Sequence, residues 1–240
     1  MKIILTVCAV CDIGCKKPSN EDMILLHENM FRDGKKKVEF NAKDRVIIAV
    51  ADGVGGLDKG EIASEHVLKS LRDILTNIPG DLSNEELRSV FDTYCRETHA
   101  GLSKEMGSTL AGLFFYNEKL YRYHAGDSRI YRLRRGELER LTMDHSLRES
   151  GGQKDAPSNV IINSIGGGSS AYIDFMEIEF PFYNNDIYML SSDGMHDLIS
   201  QNEILEVINK PNAAELLTNM AKKKGGKDNI SVVTINIKEK

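Results

Sequence analysis

Aspartates stand at the ends of strand-like apolar runs at five places in this chain, and that recurrence constrains its fold more than any other feature. Asp52 follows "VIIAVA", Asp127 follows "LYRYHAG" and Asp193 follows "DIYMLSS". Asp228 comes just before "NISVVTINI", and Asp22, in "SNEDMILL", precedes a further run. An aspartate beside glycine is ordinary turn chemistry, so any one of these positions alone reads as a turn. If the strand ends meet, however, several anions share a small volume. They then raise one another's pKa or require a counter-ion. Arginines are not distributed to match them, which makes a metal the economical partner. An all-oxygen ligand set favours Mg²⁺, Ca²⁺ or Mn²⁺ over zinc. The glycines after Asp52 fit such a site, because a tight backbone can turn the Gly53 carbonyl towards an ion and leave room for substrate.

The periodicity predicts strands over residues 2–10 and 45–51, with Asp33-Gly34 between them as a hairpin signal. Ile62, Val67, Leu71, Ile74 and Leu75 space themselves along one face of a helix over 59–77, closed by Pro79-Gly80. A second helix begins near Ser83, where Ser-x-x-Glu to Glu86 forms a capping box, and runs towards residue 104. Residues 108–141 change period and read as four short strands with turns at Asn117-Glu118, Gly126-Asp127 and Arg135-Gly136. Residues 145–170 are polar and glycine-rich, the signature of a mobile surface segment. Strands at 172–180 and 186–191, helical stretches at 201–208 and 212–223, and a last strand at 230–237 complete the pattern. Strands and helices come in separate groups, which implies antiparallel sheets packed with helices, an α+β or layered αββα arrangement. One domain over residues 1–240 is the expected organisation.

With 240 residues, 41% of them hydrophobic, the chain can bury a core without disulfides or a structural metal. A net charge of -5 argues against a nucleic-acid partner. No apolar run approaches the ~18 residues of a membrane span. The opening "MKIILTVCAVCDIGC" is interrupted by Asp12 and carries no small-residue cleavage site, so it reads as a first strand of a cytoplasmic protein. Cys8, Cys11, Cys15 and Cys95 read as scattered thiols, since Cys8 and Cys11 fall on opposite faces of that strand. Several phosphate and nucleophile motifs fail on single residues. Gly55 and Gly60 have Walker spacing, but Glu61 follows; "GGGSS" has no clear helix behind it; G-x-S-x-G does not occur. Cys11 and Lys17 approach the Cys-x5-Arg of thiol phosphatases, but lysine lacks the bidentate fork.

The segments "GCKKPSNED", "ADGVGGLDKGEIAS", "GSTLAGLFFYNEKLYRYHAGDSRIY", "LTMDHS", "SSDGMHD" and "GGKDNISVV" occur in the order and approximate spacing of the metal-dependent serine/threonine protein phosphatases of type 2C. The chain most resembles the short, stand-alone bacterial-type members, and the resemblance spans nearly all of it. It implies a four-layer αββα sandwich of two antiparallel sheets flanked by helix pairs, with metals at one end. By the same resemblance, Asp52 bridges two Mn²⁺ or Mg²⁺ ions, Gly53 lends its carbonyl to one, and Asp193 and Asp228 hold the other. Asp22 orients metal-bound waters with help from Glu21, and Asp127 shares a third, weaker metal with Asp193. Gly107, Ser108 and Thr109 match a structural motif behind the site. The implied reaction is hydrolysis of phosphoserine and phosphothreonine monoesters by a water activated between the metals, reversing a protein kinase on phosphorylated protein substrates.

Three departures qualify the resemblance. Lys17 stands where the family usually places a phosphate-binding arginine, and keeps the charge while losing bidentate geometry. Val54 stands where many eukaryotic members have a histidine proposed as general acid, which leaves His124, His145 and His196 as candidate acids. The segment corresponding to the family's flap, 145–170, is shortened and has "DAPSNVIINSIGG" in place of a histidine-proline approach. Two other readings stay open at this point: a catalytically weak phosphoprotein-binding or sensor module, and a phosphatase of small esters.

Overall fold

A computed structural model describes residues 2–54, 59–153, 155–157 and 160–239. Gly55 and Gly56 of the glycine run, and with Gly55 the Walker-like spacing, lie outside the described residues. In chain order the elements begin with strands β1 (Ile3–Asp12), β2 (Asp22–Leu26), β3 (Asn29–Phe31), β4 (Gly34–Asn41) and β5 (Val46–Val54). Helices α1 (Gly60–Asn77) and α2 (Asn84–Gly101) follow. Next come β6 (Gly107–Ser108), β7 (Leu110–Tyr116), β8 (Lys119–Ala125), β9 (Arg129–Arg134), β10 (Glu137–Arg140), β11 (Ile165–Gly166), β12 (Asp174–Glu177) and β13 (Ile187–Ser191). Helices α3 (Asp193–His196), α4 (Gln201–Val207) and α5 (Ala213–Lys223) lead into β14 (Ile230–Glu239).

The run Val46–Ala51 is apolar throughout because its two faces enter two different cores. Ile47, Ala49 and Ala51 pack with Val67 and Leu71 of α1 and Phe91 of α2. Val46, Ile48 and Val50 pack with Leu5, Val7, Leu190 and Val233 of the other sheet. A third core lies beyond that sheet, where Val10, Met189 and Val232 meet Ile204 and Leu217 of α4 and α5. Each fully buried side chain of this size contributes about 1.5–3 kcal/mol, which sets the layering. One antiparallel sheet runs β10-β9-β13-β14-β1-β4, and the other runs β11-β6-β5-β7-β8-β12 with β2 and β3 added beside β5. The result is the αββα sandwich expected from the resemblance.

Register brings the aspartates to one end. Asp22 pairs directly with Asp52 across β2 and β5, and Gly53 with Ser108 across β5 and β6. In the other sheet Ser191 lies opposite both Arg129 and Val232, so the chain leaves β13 for α3 beside the start of β14.

Some local expectations are corrected. Asp33-Gly34 does not close a hairpin: β3 pairs with β2 and β4 with β1, so the turn carries the chain from one sheet to the other. The hairpin lies earlier, at His27-Glu28, where His27 takes the left-handed φ of 57°. Ile62 is 52% exposed, one position off the buried stripe of Ala63, Val67 and Leu71. The polar segment 145–170 is closed on itself by a Ser146–Ile161 bridge and fastened to the body by β11 on β6. Its composition could not reveal those partners, since backbone groups make them.

Candidate active site

Asp52 is placed by its backbone. Its N–H donates to Thr109 Oγ1 (3.0 Å), while its carbonyl accepts from Thr109 N (2.8 Å) and Ser108 Oγ (3.1 Å). Thr109 Oγ1 lies 2.7 Å from Ser128 Oγ, which links this strand to the turn carrying Asp127. The next residue must be small. A Cβ on Gly53 would collide with the carbonyl oxygen of Gly60, and one on Gly60 with Glu21 Oε1, so the start of α1 sits directly on the strand end.

Asp22 is fully buried. Its Oδ2 accepts from Ser192 Oγ (2.7 Å), a bond that joins the two sheets, and its Oδ1 has no partner among the described residues. Asp193 begins the one-turn α3, and its Oδ1 is likewise without a partner among the described residues. Gly194 lets that turn press against Asn229, whose carbonyl a Cβ would strike. Asp228 Oδ1 accepts from Asn229 N and from Lys17 Nζ, each at 2.8 Å. Glu21 Oε2 lies 3.7 Å from the same ammonium. Asn229 ties three segments together: its Oδ1 accepts from Glu21 N (2.8 Å), and its Nδ2 donates to Ile13 O and Ser19 O (3.0 Å each). The sequence announces no role for Asn229 and Ser192; both stand inside recognisable motifs, but their bonds to Glu21 and Asp22 span 208 and 170 residues.

Burial and mutual repulsion dominate the electrostatics. Burial pushes the Asp22 carboxyl up to about 6, although Ser192 offsets part of the rise. Burial, then Asp144, takes Asp127 to about 7. Asp193 reaches about 8 through burial and the charges of Asp127, Asp228 and Asp22. Asp52 is raised well above the carboxylate range by burial and then by Asp22, Asp193, Asp127 and Asp228. Burial opposes the charge on Lys17, but the hydrogen bond and charge of Asp228, with Glu21 and Asp52, outweigh it and raise its pKa. Lys17 faces Asp228, Glu21 and Asp52, and Arg129 lies near Asp127, while the charges of the neighbouring aspartates still raise Asp52 and Asp193. The all-oxygen donor set, the orphaned Asp22 Oδ1 and Asp193 Oδ1, and the surplus negative charge all fit hard divalent cations.

A second cluster lies behind the Gly126-Asp127 turn. His124, His145 and Asp174 bring one ligand atom each within 4.8 Å of one another, close enough to coordinate one metal ion. The β8–β12 register sets Asp174 opposite His124, a pairing that no local sequence signal announces. His124 is fully buried with neither ring nitrogen bonded among the described residues, and burial, then His145, pushes its pKa down to about 3. His196 is likewise held well below its ordinary value by burial, and its Nδ1 lies 3.0 Å from Ser191 Oγ. Neither is poised to donate a proton near neutral pH, so the histidine-acid expectation finds no support at these two positions.

Known proteins agree with this architecture. A family profile described as protein phosphatase 2C matches residues 26–223. Protein phosphatase PhpP of Streptococcus pneumoniae is 28% identical, covering 98% of both chains. Serine/threonine phosphatase stp of Listeria monocytogenes is 27% identical over 81% of this chain and 86% of its own. Among solved structures, the S. agalactiae serine/threonine phosphatase superposes with a TM-score of 0.80 at 25% identity, covering 96% of this chain and 98% of that one. The catalytic domain of the phosphatase PstP, solved with two manganese ions, gives 0.75 at 27% identity over 99% and 100% of the two chains. The chain belongs to the protein phosphatase 2C family, and its activity is that family's metal-dependent serine/threonine phosphatase activity.

Proposed function

We propose that Asp52, Asp193 and Asp228, with the Gly53 carbonyl, hold two Mn²⁺ or Mg²⁺ ions. Asp127 and Asp193 share a third, weaker site, and Asp22 and Glu21 act through water. The observation that carries this reading is the convergence of five aspartates at one end of the sandwich, with Asp22 and Asp127 buried, Asp52 and Asp193 pushed upward by burial and by their neighbours' charges, and two carboxylate oxygens without a partner among the described residues. Divalent cations there would supply the charge that lowers the pKa of water and screens phosphoryl oxygens. The chain's own groups do the rest. Thr109 and Ser108 fix the Asp52 backbone, Ser192 aims Asp22, and Asn229 holds the Glu21 and Asp228 segments together. Lys17 stands at the open side of the carboxylates, where it attracts the substrate phosphate as a point charge. The proposed substrates are phosphoserine and phosphothreonine proteins in the cytoplasm, opposed by a protein kinase, and residues 1–240 act as one domain.

The test is phosphate release from phosphoserine, phosphothreonine and phosphotyrosine peptides with Mn²⁺, Mg²⁺ or chelator. Release from the first two, abolished by chelation and cut by about two orders of magnitude in Asp193→Asn, is expected. Turnover that survives complete metal removal would sink the reading. Binding of phosphopeptide without turnover would leave the sensor reading in its place.

A further inference from the structure

The cluster behind the Asp127 turn has a hydrogen-bond pattern that identifies its role. His145 Nδ1 accepts from Gly126 N (3.2 Å) and lies 2.7 Å from Asn163 Nδ2. The orientation of Asn163 is not free: its Oδ1 accepts from Tyr172 N (3.1 Å) and its Nδ2 donates to Tyr172 O (3.0 Å). Two donors therefore face Nδ1, and the ring proton belongs on Nε2, which lies 3.2 Å from Asp174 Oδ2. Ligation through Nε2 would displace that proton and force one onto Nδ1 against both donors. The three residues are close enough for an ion, but their bonds favour a different use.

That use is mechanical. His145 N also donates to Gly126 O (2.7 Å), so Gly126 is gripped at both its N–H and its carbonyl by one residue. Gly126 has φ +100° and sits on Thr109, where a Cβ would come 2.7 Å from Cγ2. The next residue is Asp127, and the one after it, Ser128, bonds the Thr109 hydroxyl that holds Asp52. His145 O accepts from Ile162 N (2.8 Å), and Asn163 ties the ring to Tyr172, so the far end of this grip is the flap segment. His124 packs beneath the ring, with centroids 4.5 Å apart.

We propose that His145 is a positioning residue, locked in one tautomer by Asn163 and Asp174, which sets the Gly126-Asp127 turn and couples the flap to the weaker metal site. The inference rests on the assignment of Asp127 to a third ion. Loss of a group that orients a metal ligand typically costs ten- to a hundredfold in metal affinity.

Calorimetric titration of the full chain with Mn²⁺ tests it without reference to turnover, using wild type, Asp127→Asn, His145→Ala, His145→Gln and His145→Asn. Asp127→Asn should remove the weak binding event; if it does not, the third-ion reading falls and takes this inference with it. With that control met, His145→Ala and His145→Gln should weaken only the weak site, by about tenfold, and leave the tight sites unchanged. His145→Asn keeps an acceptor near the Nδ1 position and should stay near wild type. Unchanged weak-site affinity in His145→Ala, or the same loss in His145→Asn as in His145→Ala, overturns the inference while leaving the third ion standing. Should His145→Ala not fold, Asn163→Asp serves instead. It replaces the donor facing Nδ1 with an acceptor, so it should shift the ring proton and weaken the same site; no effect there overturns the inference equally.

Discussion

Lys17 shows how much one side chain can matter in a centre otherwise built from carboxylates. Its Nζ lies 2.8 Å from Asp228 Oδ1, and its side chain is 33% exposed, so it meets the acidic group and stays open to solvent. An ammonium neutralises charge but cannot bracket two phosphoryl oxygens as a guanidinium does. Replacing it by arginine should therefore improve phosphate positioning. The expected gain in kcat/KM on a phosphothreonine peptide is roughly fivefold, about 1 kcal/mol of additional transition-state binding. Steady-state kinetics of Lys17→Arg decide the matter, and no gain would remove Lys17 from the phosphate site. The buried Asp22 is a different kind of residue. Its Oδ2 is held by Ser192, it pairs with Asp52 across the strands, and its Oδ1 has no partner among the described residues.

At the scale of elements, local signals were read well wherever a residue's partner is near in sequence. The capping box is the clearest case: Ser83 Oγ accepts from Glu86 N, and Glu86 Oε2 accepts from Ser83 N (2.8 Å). Ser83→Ala should lower stability by about 1 kcal/mol, read as a drop in the denaturant midpoint, with kcat unchanged because among the described residues the Ser83 side chain bonds only Glu86. The helices, the long strands and the layered class were legible for the same reason, since burial periodicity is written into consecutive residues. Sheet membership was not. Asp33-Gly34 has the composition of a hairpin turn yet changes sheets, while His27-Glu28, without a glycine, makes the hairpin. The aspartates of the acidic end were visible as strand-end anomalies, and their roles came from the resemblance. The fastenings between them, Thr109 to Ser128, Ser192 to Asp22 and Asn229 to Glu21, could not be read, because each depends on which distant strands become neighbours. Asp174 was missed for the same reason.

For the molecule as a whole, the acidic end makes folding and metal binding depend on pH together. Asp127 and Asp193 titrate at about 7 and about 8 in the folded chain, against roughly 3.9 when unfolded. Between those limits the metal-free native state holds protons that the unfolded state has released, so its stability falls as pH rises. His124 and His196 act with the opposite sign. Both are held neutral by burial, so the unfolded chain binds more protons below about pH 6.5, and stability there rises with pH. The two effects oppose each other in acid, and the carboxylates act alone once the histidines are neutral in both states. The chelated protein should therefore melt at progressively lower temperature from about pH 6.5 to about pH 8. On the proposed metal assignment, saturating Mn²⁺ would replace the retained protons, so its stabilisation should be larger at the alkaline end of that window. Calorimetric melting with and without chelator checks both halves. A chelated melting temperature that holds or rises across the window would mean that these carboxylates do not share one buried volume, and the placement of the metals would fail with it.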